Sequence, residues 1–170
     1  IGQKSEKPRV GIYNLSNQKT VFISPSGNSD DYLTNLSWTP DEKYVIIAEL
    51  NRGQNDMHLN LYDAQTGIFV RTLLQEKSNN WVEPEHPAFF PNKKSNNFIW
   101  ISEKDGFNHI YLYDNNGKLK NQITKGPWEV TSYYGFDEET GTVFYQSVEN
   151  GSIKRDIYRV NLNGTNKVRL

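Results

Sequence analysis

No cysteine occurs among the 170 residues, which excludes disulfides, zinc–thiolate sites and a cysteine nucleophile. An excess of either charge is also missing. The 19 Lys+Arg face 20 Asp+Glu, a net charge of −1, so no overall field draws in nucleic acid or an anionic membrane. Long apolar runs are absent: residues 45–48 and 98–101 are among the longest, far short of the roughly 20 that span a bilayer. The opening Ile1-Gly-Gln-Lys-Ser-Glu-Lys-Pro8 has neither an initiator Met nor the apolar heart of a signal peptide. The expectation is a piece from inside a longer gene product. Sustained helical periodicity is missing as well, since no window of a dozen residues repeats apolar positions at i, i+3, i+4 and i+7.

What the sequence does contain is β signal. With 35% hydrophobic and 13% aromatic residues the chain can bury a core. Short runs alternate β-branched or aromatic residues with polar ones, as in Val10-Gly-Ile-Tyr-Asn-Leu15, His58-Leu-Asn-Leu-Tyr62 and Asp156-Ile-Tyr-Arg-Val160. Between them stand Asn115-Asn-Gly117, Thr140-Gly141 and Asn163-Gly164, residues suited to the positive φ of hairpin turns.

These runs repeat. His58-Leu-Asn-Leu-Tyr-Asp-Ala-Gln-Thr-Gly67 matches His109-Ile-Tyr-Leu-Tyr-Asp-Asn-Asn-Gly117, which matches Asp156-Ile-Tyr-Arg-Val-Asn-Leu-Asn-Gly164. Upstream of each copy lies an aromatic residue and a polar turn: Trp38-Thr-Pro-Asp-Glu-Lys43, Phe90-Pro-Asn-Lys-Lys94 and Phe136-Asp-Glu-Glu-Thr-Gly141. A further short strand follows each copy, at 70–74, 120–124 and 167–170. A four-stranded antiparallel unit recurring every 40 to 50 residues or so is the signature of a propeller blade. The expected fold is therefore all-β, a partial β-propeller with about three complete four-stranded blades plus part of a fourth. Residues 1–170 would form one propeller fragment, with the outer strands of a partial blade in 1–31 and full blades at 32–78, 81–126 and 127–170. Trp38, Phe90 and Phe136, at equivalent positions, are expected in the core, while Trp81 and Trp128 fall between blades.

No catalytic set emerges. The strained Gly-x-Ser-x-Gly turn of an α/β-hydrolase does not occur. Of the three histidines, His58 and His109 share one repeat position at the head of a third strand, which favours a structural role for both. Glu138-Glu139 sits at a turn position and reads as a solvated hairpin. Asp114-Asn-Asn-Gly117 lacks the later ligands of a calcium loop. No catalytic residue, metal ligand or cofactor is expected within these residues. Four Asn-x-Ser/Thr sequons, at Asn14, Asn35, Asn150 and Asn163, matter only where a source glycosylates its secreted proteins.

Asn80-Trp81-Val82, then Glu85-His86-Pro87 and Phe89-Phe90, resembles the propeller region of the dipeptidyl peptidase IV family, in the prolyl oligopeptidase group of serine peptidases. The resemblance runs on through Ile101-Ser-Glu-Lys-Asp-Gly-Phe-Asn-His-Ile-Tyr111 to Ile123-Thr-Lys-Gly-Pro-Trp-Glu-Val130, its most specific element. It implies a periplasmic or cell-surface enzyme that removes N-terminal dipeptides, preferably with Pro or Ala second. Its propeller would be a non-catalytic scaffold and substrate gate over an α/β-hydrolase domain of the same polypeptide. The family's double-Glu clamp for the substrate amine, in an Asp-Trp-apolar-Tyr-Glu-Glu context, does not occur here, and the resemblance places it upstream. Trp81-Val82 is followed by Glu83-Pro84-Glu85 in a shorter loop, without the Phe and Arg of vertebrate members. The substrate-side candidates are thus Trp81, Glu83, Glu85 and His86, where carboxylates would favour a cationic peptide amine; the plainer alternative is that Trp81 packs between blades and Pro84 and Pro87 stiffen the link. The implied partners are the hydrolase domain and a peptide, with self-association of exposed blade faces. A TolB-like propeller acting through protein–protein contact is the alternative, because Ser-x-x-Asp-Gly-x-x-x-Ile-Tyr is shared with that group.

Overall fold

The computed structural model describes residues 7–170, and among them there is no helix. The first six residues of the 1–31 segment therefore lie outside the described residues. The chain divides into two compact units, Ile1–Glu83 and Pro84–Leu170.

In the first unit β1 (Gly11–Asn14) and β2 (Lys19–Phe22) form a hairpin. Its turn is set by Asn14, whose Oδ1 accepts the amides of Ser16 and Asn17. β3 (Tyr32–Trp38), β4 (Tyr44–Leu50), β5 (Asp56–Asp63) and β6 (Phe69–Lys77) form an antiparallel sheet in sequence order. Alternation decides which face meets the hairpin: Val45 and Ile47 of β4, with Tyr62 of β5, are fully buried against Ile23, and Val10 and Ile12 pack onto them. Burying each such side chain contributes roughly 1.5–3 kcal/mol. Trp38 departs from expectation: it is 45% exposed rather than core. As the last residue of β3 it lies at an edge-strand end, where one side of the ladder has no partner.

The second unit holds two sheets. β7 (Asn97–Ser102), β8 (His109–Asp114) and β9 (Leu119–Gln122) form one; β10 (Val130–Asp137), β11 (Thr142–Ser147), β12 (Asp156–Asn161) and β13 (Val168–Arg169) form the other. Their facing sides interlock into one core, with Ile99, Ile101, Ile110 and Leu112 from the first meeting Val130, Val143, Tyr145, Tyr158 and Val160 from the second.

The sheet of β7–β9 has three strands where the repeat leads one to expect four. In place of the first strand stands one bridge, Phe89 to Ile99, closed by a 3.0 Å bond from the Phe89 amide and a 2.7 Å bond back from Ile99. In an antiparallel ladder the next doubly bonded positions on the same strand are two residues either way. Those positions are Pro87 and Pro91, which have no N–H to give. The ladder stops after one rung for that reason.

Candidate functional site

In a four-stranded antiparallel meander such as β3–β6, the loop between the second and third strands and the segment leaving the fourth lie at the same end. The first unit joins them directly: the amides of Ser78 and Val82 donate to Asn55 and Gln54 of the β4–β5 turn, at 3.0 and 2.8 Å. That turn is itself braced by Asn51, which bonds Asn55 and Asp56. Val82 is buried, so its neighbours Trp81 and Glu83 point the other way. Trp81 is 66% exposed and Glu83 is exposed. An indole left in water is a poor packing element and an available contact.

Glu85 and His86 belong to the second unit, where the structure brings them together: His86 Nε2 lies 3.9 Å from a Glu85 carboxylate oxygen. Glu85 is exposed and His86 half-buried, with its imidazole beside Phe89 at 6.1 Å. Phe89 in turn stacks on Tyr133 at 4.4 Å, and burial pushes the Tyr133 phenol up to about 12. His86 therefore lies beside a stacked aromatic pair while its neighbour carboxylate is exposed.

The same end of the second unit carries the Thr124-Lys-Gly-Pro-Trp-Glu-Val130 segment, and its geometry explains the residue types. His109 is fully buried, with Nε2 3.0 Å from the Gly126 carbonyl and Nδ1 3.1 Å from Thr124 Oγ1. A carbonyl only accepts, so Nε2 carries the proton. Thr124 Oγ1 accepts the Ile110 amide at 2.9 Å and is left with one proton to donate to Nδ1. Every polar atom of this buried set is satisfied by a neutral ring. Trp128 meets the imidazole edge-on at 4.9 Å. Gly126 has φ +146°, and a Cβ there would stand 2.2 Å from the Trp128 indole nitrogen, so only glycine fits. The Val130 amide donates to Asn108 and the Val148 amide to Glu129, at 2.8 and 3.1 Å, tying the β7–β8 and β11–β12 loops to the segment. His109 is thus a structural histidine, as its repeat position suggests, and the charged groups left to solvent here are Lys125 and Glu129.

One buried carboxylate escapes sequence reasoning. Glu49, 3% exposed within the apolar strand β4, accepts the Gly27 amide at 2.9 Å and the Ser26 hydroxyl at 3.3 Å. Tyr62 accepts the Ser26 amide, and Asn60 links Ser26 to Thr72. The set pins the loop after β2 onto the sheet. Its only trace in the sequence is a single acid inside an apolar run. Of the other acidic candidates, Glu139 lies in a turn closed by Asp137, and Asp114 Oδ1 accepts the amides of Asn116 and Lys118. Both are solvated turns. Among the described residues no group of three or more His, Cys, Asp or Glu gathers to hold a metal ion, and no helix is long and apolar enough to cross a membrane.

Comparison with known proteins places this arrangement. The family model for the dipeptidyl peptidase IV (DPP IV) N-terminal region matches residues 1–170. Dipeptidyl peptidase 4 of Felis catus is 30% identical over 166 residues, covering 90% of this chain and 21% of the cat protein. Dipeptidyl aminopeptidase A of Saccharomyces cerevisiae is 27% identical over 172 residues, covering 92% of this chain and 18% of the yeast protein. Among solved structures, a Bacteroides ovatus protein assigned as a dipeptidyl aminopeptidase IV superposes with TM-score 0.89 at 32% identity, over 98% of this chain and 26% of that one. Porphyromonas gingivalis dipeptidyl peptidase 4 gives TM-score 0.82 at 33% identity, over 95% of this chain and 22% of that one. The chain thus spans roughly a fifth to a quarter of the length of the relatives it matches. With four antiparallel sheets and likeness of this order, the fold is all-β, a partial β-propeller. By the match along its whole length, this chain belongs to the dipeptidyl peptidase IV N-terminal region family.

Proposed function

We propose that this chain is the non-catalytic propeller segment of a serine-type dipeptidyl aminopeptidase that removes N-terminal dipeptides with Pro or Ala second. In this reading it serves as scaffold and substrate gate for an α/β-hydrolase domain of the same polypeptide, and the enzyme works in the periplasm or at the cell surface. The blades are those at 32–78, 81–126 and 127–170, preceded by part of another. The observation that carries the reading is the agreement between the family match and solved structures along nearly the whole chain. In this reading the chemistry belongs to the hydrolase domain, in keeping with the lack of a Gly-x-Ser-x-Gly turn among these residues.

The loop around Trp81, Glu83, Glu85 and His86 is the substrate-side element of this proposal. Support comes from the exposure of Trp81, Glu83 and Glu85 on a segment whose backbone is fastened down. Two solvated carboxylates raise the local concentration of a cationic peptide amine. The test uses the full-length protein and a Gly-Pro chromogenic dipeptide. The wild type turns it over, and Glu83→Gln with Glu85→Gln raises KM severalfold while leaving Tm unchanged. Loss of turnover in the wild type defeats the peptidase reading and favours a TolB-like contact module. Turnover with unchanged KM in the double variant leaves the enzyme standing and reduces the loop to structure.

A further inference from the structure

Arg52 is a cation on a braced support, and among the described residues it is paired with no acid. It lies exposed in the β4–β5 turn, its guanidinium carbon 4.6 Å from the centroid of the Tyr32 ring. Tyr32 opens β3 opposite Leu50, so the ring stands at the end of the sheet from which the turn leaves. The acid whose charge Arg52 meets is Asp30. Lys7, 2.8 Å away, is what chiefly holds the Asp30 carboxyl below its ordinary value, and Arg52 adds least. Asn51 ties the turn to Asn55 and Asp56, and the chain leaving β6 is fastened to it by the Val82 amide on the Gln54 carbonyl at 2.8 Å. Trp81 and Glu83 flank Val82. An exposed indole, a carboxylate and a guanidinium thus share one end of this unit.

We infer that Arg52 is a specificity residue that takes an acidic side chain of the peptide, on the residues that follow the removed dipeptide; this rests on the peptidase reading above. A guanidinium over an aromatic ring is held there by its charge. Its five N–H groups remain for an oxyanion, and their planar fork matches a carboxylate. The two charges at this end order the peptide. Glu83 draws the amine and repels the acid, while Arg52 does the reverse, so the chain enters with its amine toward the loop and its acid toward the turn.

The test uses the full-length protein and two matched peptides with amidated C-termini, Gly-Pro followed by three Glu and Gly-Pro followed by three Gln. The readout is the ratio of their kcat/KM values within each variant, which a merely structural role would not move. In the wild type the Glu peptide is favoured by about threefold to fivefold, the size of one partly screened ion pair, and the preference fades as salt is raised. Arg52→Gln abolishes the preference at unchanged Tm. Arg52→Lys, which keeps the charge and loses the fork, retains part of it. A wild type without the preference, or a preference that survives Arg52→Gln, overturns the assignment while the peptidase stands. A wild type that turns over neither peptide nor the Gly-Pro chromogenic dipeptide overturns the peptidase reading and this inference with it.

Discussion

His58 and His109 head the third strands of successive repeats, yet the two residues live in different media. His58 is half-buried, its side chain 42% exposed and 3.2 Å from Asp56, on a strand whose partner β6 runs nine residues to Lys77. His109 is completely buried, and its partner β9 ends after four residues so that the chain can wrap the imidazole with Thr124, Gly126 and Trp128. Repeat position sets where a residue stands on the sheet. What covers it is decided by the segment that follows.

The largest expected effect separates the two histidines. His109→Ala opens a cavity and strands the Gly126 carbonyl, and should cost about 3 kcal/mol. His58→Ala, at a half-exposed surface position, should cost well under that, about 0.5–1 kcal/mol. Urea unfolding checks both, and equal losses would break the comparison. Next comes the link itself. Gly126→Ala meets a positive φ and the Trp128 indole, for about 2 kcal/mol or more. Gly106→Ala, at φ +99° with nothing within 4 Å, meets only the dihedral penalty of about 1–2 kcal/mol; the smaller loss at Gly106, read from Tm, isolates the Trp128 contact.

A milder change sharpens the contrast between the four-stranded sheet and the three-stranded one. Pro91→Val returns an N–H to the position two beyond Phe89, and hydrogen exchange should find that amide protected, with stability altered by less than about 1 kcal/mol. Free exchange there would mean that the prolines are not what ends the ladder. The smallest effect is acid on the His58 neighbourhood. Gln75, then Lys77, hold the Asp56 carboxyl below its ordinary 3.8, against the opposing effect of burial. A lowered folded value contributes stability above 3.8 that fades as the pH falls below it. Asp56→Asn should flatten that part of the pH dependence of Tm, and an unchanged slope would remove Asp56 from it.

Much was legible without coordinates. Alternation in His58–Tyr62 and its two copies, with Gly67, Gly117 and Gly164 in their turns, determined strands, hairpins and the repeat, because pleat and turn depend on neighbours in sequence. The missing nucleophile turn was equally plain, since that device is local. The candidate loop was legible as a position between strands, while the exposure of Trp81 and the pairing of Glu85 with His86 were not. Nor were the single rung at Phe89, the half-exposed Trp38 or the pinned loop on Glu49. Those were decided by tertiary structure, because burial and hydrogen-bond partners are supplied by residues far along the chain, as Glu49 receives Gly27 from 22 positions away.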